Sequence, residues 1–138
     1  MTPAQMAEIH AAAFLMERPW REEEFAQLLT QPLIRVYPGN GGFAVARTVA
    51  GESELLTLAV APSSQRKGIA RALLAQWITD ARASADTAFL DVAADNIPAL
   101  ALYETSGFKR SGQRKGYYAR ASGPPADAVL MTRALTLG

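Results

Sequence analysis

Apolar and polar residues change their period several times along this chain of 138 residues. Met6, Ile9, His10, Ala13 and Phe14 recur at helical spacing behind Thr2-Pro3, a pair that suits an N-cap and a first helical position. Arg18-Pro19-Trp20 breaks that stripe. A second helix is predicted from Arg21 to about Leu29, with Phe25, Leu28 and Leu29 as its apolar contacts, ending before Pro32. The period then falls to two. Leu33 to Tyr37 is a short β-prone run stopped by Pro38-Gly39-Asn40-Gly41. Gly42 to Val49 and Glu54 to Val60 are two further strands, with Ala50-Gly51-Glu52-Ser53 as a hairpin turn between them and Pro62 closing the second.

Helical spacing returns from Gly68 to about Arg82, where Ile69, Leu73, Trp77 and Ile78 form a stripe in an alanine-rich segment with no internal breaker, which makes Trp77 a core residue. Thr87 to Ala93 alternates as a strand, with Phe89 and Asp91 on one face and Leu90 and Val92 on the other. Ile97 to Ser106 fits a short helix capped by Asn96 and ended by Gly107. Phe108 to about Arg120 reads as a glycine-interrupted strand, 122–125 as a loop and Ala128 to Thr132 as a last strand. Strands on both sides of the long helix imply a crossover and at least one parallel pair, hence an α/β protein with a mixed sheet and helices packed on it. The carboxyl ends of such strands are the natural place for a ligand.

Composition narrows the chemistry. A hydrophobic content of 49% supports one sizeable core, so residues 1–138 are read as a single domain. A formal net charge of +1 gives no electrostatic footprint for nucleic acid. The absence of cysteine excludes disulfides, thiolate catalysis and Cys-based metal sites, and fits a reducing, cytoplasmic setting. His10 is the single histidine, so a multi-histidine zinc site is excluded, and its place beside Ile9 and Ala13 marks it as structural. No apolar run approaches the length of a membrane span, and the N-terminus lacks a signal-peptide layout.

The segment Gln65-Arg66-Lys67-Gly68-Ile69-Ala70 joins a strand to a helix start. Backbone N–H groups at a helix N-terminus suit an anion, Gly68 permits close backbone approach, and Arg66 and Lys67 add charge. The turn matches neither the phosphate loop of nucleotide triphosphatases nor the dinucleotide fingerprint. Locally, two readings stand: a phosphate site, or a tight turn whose cations face water.

Two motifs decide between them. Gln65-Arg66-Lys67-Gly68-Ile69-Ala70 resembles the acyl-CoA-binding signature of the GNAT N-acetyltransferases, Gln/Arg-x-x-Gly-x-Gly/Ala. Asn96-Ile97-Pro98-Ala99-Leu100-Ala101-Leu102-Tyr103-Glu104-Thr105-Ser106-Gly107-Phe108 resembles the second signature of that family. Both stand at strand-to-helix junctions, in the family's order. Within the family, Pro19-Trp20 with Phe25, the run Glu54 to Val60, and Arg114-Lys115-Gly116-Tyr117-Tyr118 look like RimI-type acetyltransferases, which modify the N-terminal alanine of small-subunit ribosomal protein S18. The resemblance implies a GNAT fold lacking the usual strand ahead of helix one, and direct acetyl transfer from acetyl-CoA to a protein N-terminal α-amine without metal. It further implies a cytoplasmic enzyme, a monomer or weak dimer, with no membrane or direct nucleic-acid partner.

The same resemblance assigns roles. The backbone of Leu58 and Val60, the Gln65, Arg66, Lys67, Gly68, Ile69 and Ala70 turn, Asn96 and Tyr103 correspond to cofactor-binding positions. Tyr103 corresponds to the proton donor for the leaving thiolate, against the simpler reading of a core tyrosine. Asp91 stands where RimI-like proteins carry a glutamate base. Aspartate is shorter by one C–C bond, about 1.5 Å, and a misplacement of about 1 Å costs roughly a hundredfold, so a bridging water, a nearer strand and an amine-orienting role are the alternatives for it, beside the plain reading of a carboxylate that holds the strand edge or a nearby backbone donor. Glu54 is the reserve base, or an ordinary edge glutamate. Trp20, Tyr117 and Tyr118 are peptide-pocket candidates, with Trp20 equally able to pack the first two helices together. Acetylation of a small-molecule amine and a non-catalytic acyl-CoA-binding module are the competing functions.

Overall fold

The computed structural model describes residues 1–14, 19–120 and 122–136. Arg18, part of the break read between the first two helices, lies outside the described residues. The elements follow as α1 (Pro3–Ala13), α2 (Glu22–Leu28), β1 (Ile34–Gly39), β2 (Gly42–Val49), β3 (Glu52–Val60), α3 (Ile69–Ala81), β4 (Thr87–Ala93), α4 (Ile97–Thr105), β5 (Lys109–Tyr118) and β6 (Ala126–Ala134). Thr2 caps α1 as its sequence implied: its Oγ1 accepts from Gln5 N–H at 3.1 Å, and Gln5 Oε1 accepts from Thr2 N–H at 2.8 Å.

Among the described residues six strands form one sheet, in the order β1-β2-β3-β4-β6-β5. Only β3 and β4 run parallel, as the crossover through α3 requires, and every other neighbour is antiparallel. The parallel contact is short: Glu52 pairs with Thr87, Ser53 with Ala88 and Glu54 with Phe89. By contrast, β4 pairs with β6 along its whole length, from Thr87 to Ala93. The sheet is therefore two antiparallel halves, β1-β2-β3 and β4-β6-β5, hinged on three residue pairs and parting beyond them.

A bulge sits beside that hinge. Val45 of β2 faces Thr57, but Ala46 faces Leu55, so Leu56 is an extra residue on β3. The insertion flips the alternation. Leu55, ahead of it, joins the core under α3 and α4, whereas Ala59, four residues on, joins the opposite core under α1 and α2. An uninterrupted strand would have put both on one face.

Two other boundaries differ from expectation. Pro38 and Gly39 belong to β1, with Pro38 opposite Phe43, and the turn is confined to Asn40-Gly41. β1 is an edge strand, so the N–H that proline lacks is not needed by a second neighbour. The next hairpin turns on Ala50-Gly51 alone, with φ of 52° and 83°, the geometry of a two-residue primed turn. Glu52 and Ser53, expected in that turn, are strand residues. Ser53 is fully buried, and its hydroxyl accepts the Trp77 indole N–H at 2.9 Å.

The larger core lies between the sheet and α3 with α4; Trp77, Leu74, Leu90 and Met131 are its most enclosed large side chains. A satellite core on the other face gathers Met6, Phe25, Phe43, Val45 and Ala59. Trp77→Phe removes the only donor the buried Ser53 hydroxyl receives from α3 and leaves a void beside Phe108, whose ring stacks on the indole at 5.8 Å. The expected cost is about 2–3 kcal/mol, read from urea unfolding; a loss under about 0.5 kcal/mol would remove Trp77 from its central place.

Candidate functional site

Where β3 and β4 part, a cleft of about 420 Å³ opens through the sheet. Its walls are the separated strands: Leu55 to Leu58 and Val60 on β3, and Asp91 to Ala93 on β4. Among the described residues, the backbone N–H and C=O groups on these facing edges have no strand partner. They are obligatory hydrogen-bonding groups, so an extended, amide-bearing ligand can take the place of the missing ladder. Leu58 and Val60, expected to offer backbone contacts, line this edge.

One end of the cleft is the turn into α3. Gly68 is the N-cap of α3 in the left-handed region, at φ 77°, and Arg66 is also left-handed at φ 63°. Successive conformations of this kind turn backbone N–H groups toward a common concavity, and the first turn of α3 adds N–H groups with no helical acceptor. A Cβ placed on Gly68 would meet nothing within 4 Å. The protein leaves the space before this glycine open, as a pyrophosphate against the backbone requires. Gln65 and Ala70 line the cleft, and the Gln65 Nε2 donates to the Val60 carbonyl at 3.1 Å, tying the turn to the end of β3. Arg66, Lys67, Gly68 and Ile69 are not on the cleft wall, and the Ile69 side chain packs against the larger core beside Gly39 and Gly42. Asn96 also reaches the cleft while its Oδ1 caps α4 through Ala99 N–H at 3.2 Å.

The chemistry-bearing side chains meet farther along. Leu90 and Val92 belong to the core under α3 and α4, so Asp91 between them points to the opposite face, the α1 side. Its carboxylate is largely enclosed. Among the described residues Oδ1 has no hydrogen bond, and the Arg114 guanidinium stands 4.0 Å from it. Tyr103 comes from the other side on α4, buried, with Phe108 edge-on at 6.2 Å. Burial pushes its phenol well above the ordinary tyrosine range, so it is a protonated acid at every working pH. Asp91 and Tyr103 thus enter one cleft from opposite faces of the sheet.

Around Asp91 the α1 face supplies aromatic walls. Trp20 lines the cleft, yet it also stacks on His10 at 5.3 Å, and its backbone N–H donates to His10 Nδ1 at 3.1 Å. Trp20 therefore packs α1 against α2, as one of its readings expected, and borders the cleft as well. His10 is buried, as its sequence context implied, and in addition lines the cleft. The expected tyrosine pair divides: Tyr118 faces the cleft, whereas Tyr117 is half exposed and lies under Arg114, whose guanidinium carbon is 5.3 Å from the ring centroid. Glu54 is not on the cleft wall. It is register partner to Arg47 on β2 and binds that guanidinium at 2.9 Å, beside a separate surface hollow.

Sequence reasoning missed Leu56 and Phe14 as lining residues. The bulge that turns Leu56 toward the α1 side changes no residue type, and Phe14 reads only as the last apolar position of a helix stripe.

A parted mixed sheet, an anion-ready turn at one end of the gap, and an acid and a carboxylate at the other define an acyl-CoA-dependent N-acyltransferase. Comparison with known proteins agrees. The model of the acetyltransferase (GNAT) family matches residues 18–108. The [ribosomal protein bS18]-alanine N-acetyltransferase of Escherichia coli is 33% identical over 124 residues, covering 86% of this chain and 83% of the relative. The N-alpha-acetyltransferase RimI of Mycobacterium tuberculosis is 39% identical over 137 residues, 92% of this chain and 83% of its own. The crystal structure of the E. coli enzyme superposes with a TM-score of 0.88 at 31% identity, covering 99% of this chain and 89% of that one. The chain belongs to the GNAT acetyltransferase family, in its RimI-type branch, and its acetyl donor is acetyl-CoA.

Gly68→Ala tests the turn. The left-handed residue then costs about 1–2 kcal/mol of local strain, but the new methyl meets no protein atom. A tenfold or greater rise in the acetyl-CoA Kd by calorimetry, with the fold retained by circular dichroism, is the expected result. An unchanged Kd would move the pyrophosphate elsewhere.

Proposed function

We propose that this enzyme acetylates the N-terminal α-amine of a protein, the alanine of ribosomal protein S18 being the first candidate, with Asp91 as base and Tyr103 as acid. The observation that carries the assignment is the convergence of these two side chains on one cleft from opposite faces of a parted sheet. The acceptor is supported by the names of the RimI-type relatives, at 33% and 39% identity over most of both chains.

The chemistry follows from proton accounting. An α-amine, with a reference pKa of about 8, offers far more neutral nucleophile near pH 7 than a lysine at about 10.4. The acceptor nitrogen attacks the thioester carbonyl of acetyl-CoA, and the C–S bond breaks. Asp91 takes the proton that nitrogen sheds, directly or through one water that makes up the shorter side chain. Tyr103 gives its proton to the departing sulfur. Burial keeps the phenol protonated until the sulfur departs. Solvent then returns the proton from Asp91 to Tyr103. The aromatic wall of Trp20, His10 and Tyr118 excludes water from the amine side and orients the chain behind it.

The direct assay offers acetyl-CoA with a peptide beginning Ala-Arg and reads α-amine acetylation by mass. Transfer to free small amines only would assign a small-molecule acceptor, and cofactor binding with no transfer would assign a sensor. Tyr103→Phe is expected to lower kcat about a hundredfold with the acetyl-CoA Kd unchanged; an unaltered kcat sinks the acid role. Asp91→Asn is expected to lose a similar factor in kcat/KM, and Asp91→Glu to keep or exceed the native rate. A loss at Glu54→Gln larger than that at Asp91→Asn would hand the base role to Glu54.

A further inference from the structure

The wall that carries Tyr118 is poorly held by the sheet itself. The β5–β6 ladder lapses between Arg114 and Tyr118, where Gly116 is left-handed at φ 61°, and pairing returns only at Tyr118 opposite Ala126. β5 is also the sheet's edge and exposed up to Tyr117, whereas Tyr118 is half-buried and meets the Tyr117 ring edge-on at 5.1 Å. The Asp127 carboxylate steadies the irregular stretch by accepting from Gly116 N–H at 2.9 Å and Gln113 Nε2 at 2.8 Å, contacts that hold its own pKa below the usual carboxylate range. Neither bond reaches Tyr118.

Another side chain does. The Arg120 guanidinium carbon lies 5.9 Å from the Tyr118 ring centroid, and Nη2 donates to Asp95 Oδ1 at 2.8 Å. Asp95 stands at the junction of β4 and α4, next to Asn96, which caps the helix bearing Tyr103. Exposed ion pairs contribute little. This one differs, because the Arg120 side chain is 6% exposed. A buried guanidinium is held in one orientation, and its contact with the ring is correspondingly stronger.

We propose that Arg120 and Asp95 form a strap from the α4 side of the cleft to the acceptor wall, and that Arg120 is a positioning residue for the acceptor, acting through Tyr118. The inference rests on the reading of the acceptor as a polypeptide α-amine. It assigns Arg120 no contact with the reacting atoms. The strap registers the wall that receives the amine against the helix that carries the acid, so its loss loosens acceptor binding while the donor end, held by Gln65 and the α3 turn, is untouched.

Arg120→Met, Asp95→Asn and the double variant test this with acetyl-CoA and the Ala-Arg peptide. Each single change is expected to raise the peptide KM roughly tenfold, to move kcat by less than about twofold, and to leave the acetyl-CoA Kd unchanged. The double variant is no worse than the poorer single, since the two groups act as one unit, and Arg120→Lys recovers part of the loss. Three results overturn the strap: a peptide KM that stays put in either single variant, a double variant whose effect is the product of both, or acetyl-CoA affinity falling in step with the KM. A drop in Tm with the KM unmoved also overturns it and leaves Arg120 a stabilising residue only. Failure of the native enzyme to acetylate the peptide is a separate outcome: it refutes the polypeptide acceptor, and the strap falls with it.

Discussion

Three residue pairs between β3 and β4 are the constraint on which the molecule depends. Backbone polar groups must be paired or wet, and a fully zipped parallel pair would have satisfied them internally and closed the sheet. Instead pairing stops at Glu54 and Phe89, and the extra residue at Leu56 bends β3 just beyond that point. Every functional feature is placed relative to the resulting gap. The unpaired strand edges line it, the turn into α3 stands at one end, and Asp91 faces it from the α1 side.

The two cores divide the labour on either side of that gap. The larger one fixes α3 and α4 against the sheet, and with them the turn into α3, the Asn96 cap and Tyr103. Its centre is polar at one point, where Trp77 and the buried Ser53 satisfy each other next to the parallel pairing. The smaller core holds α1 and α2 on the other face through an aromatic run in which Trp20 stacks on His10 and Phe25 meets Phe43 edge-on. The α3–α4 wall and the α1–α2 wall of the cleft are thus built on separate scaffolds. Relative placement of the two is left to the hinge and to the side chains that cross the opening.

Much of this was legible in the residues. Thr2-Pro3, Gly68 and Asn96 announced helix starts because capping is local chemistry, complete within a few residues. The parallel pair followed from one strand–helix–strand crossover. The Asp91 face was legible because β4 alternates without interruption. What failed to show was non-local. Pro38 reads as a breaker until β1 is known to lie at an edge, and Ser53 reads as a turn residue until Trp77 is seen to donate to it. The bulge at Leu56 leaves no mark in composition, since it is a relation between β2 and β3 rather than a property of either. Glu54 looked like a second base because only distance in space shows its carboxylate committed to Arg47.

The sequence by itself marked a helix N-terminus able to meet an anion and offered no thiol or histidine pair, and the likeness of two motifs to a known family named the class of chemistry. These are properties of residue type over short separations, where local backbone preference decides. Only the tertiary structure decided which groups share the cleft. Asp91 and Tyr103 are brought together from opposite faces, Glu54 is drawn off by Arg47, and Tyr118 is separated from Tyr117. Strand pairing and its early termination are long-range events, set by the fit of one half-sheet to the other, and no window along the chain contains both partners.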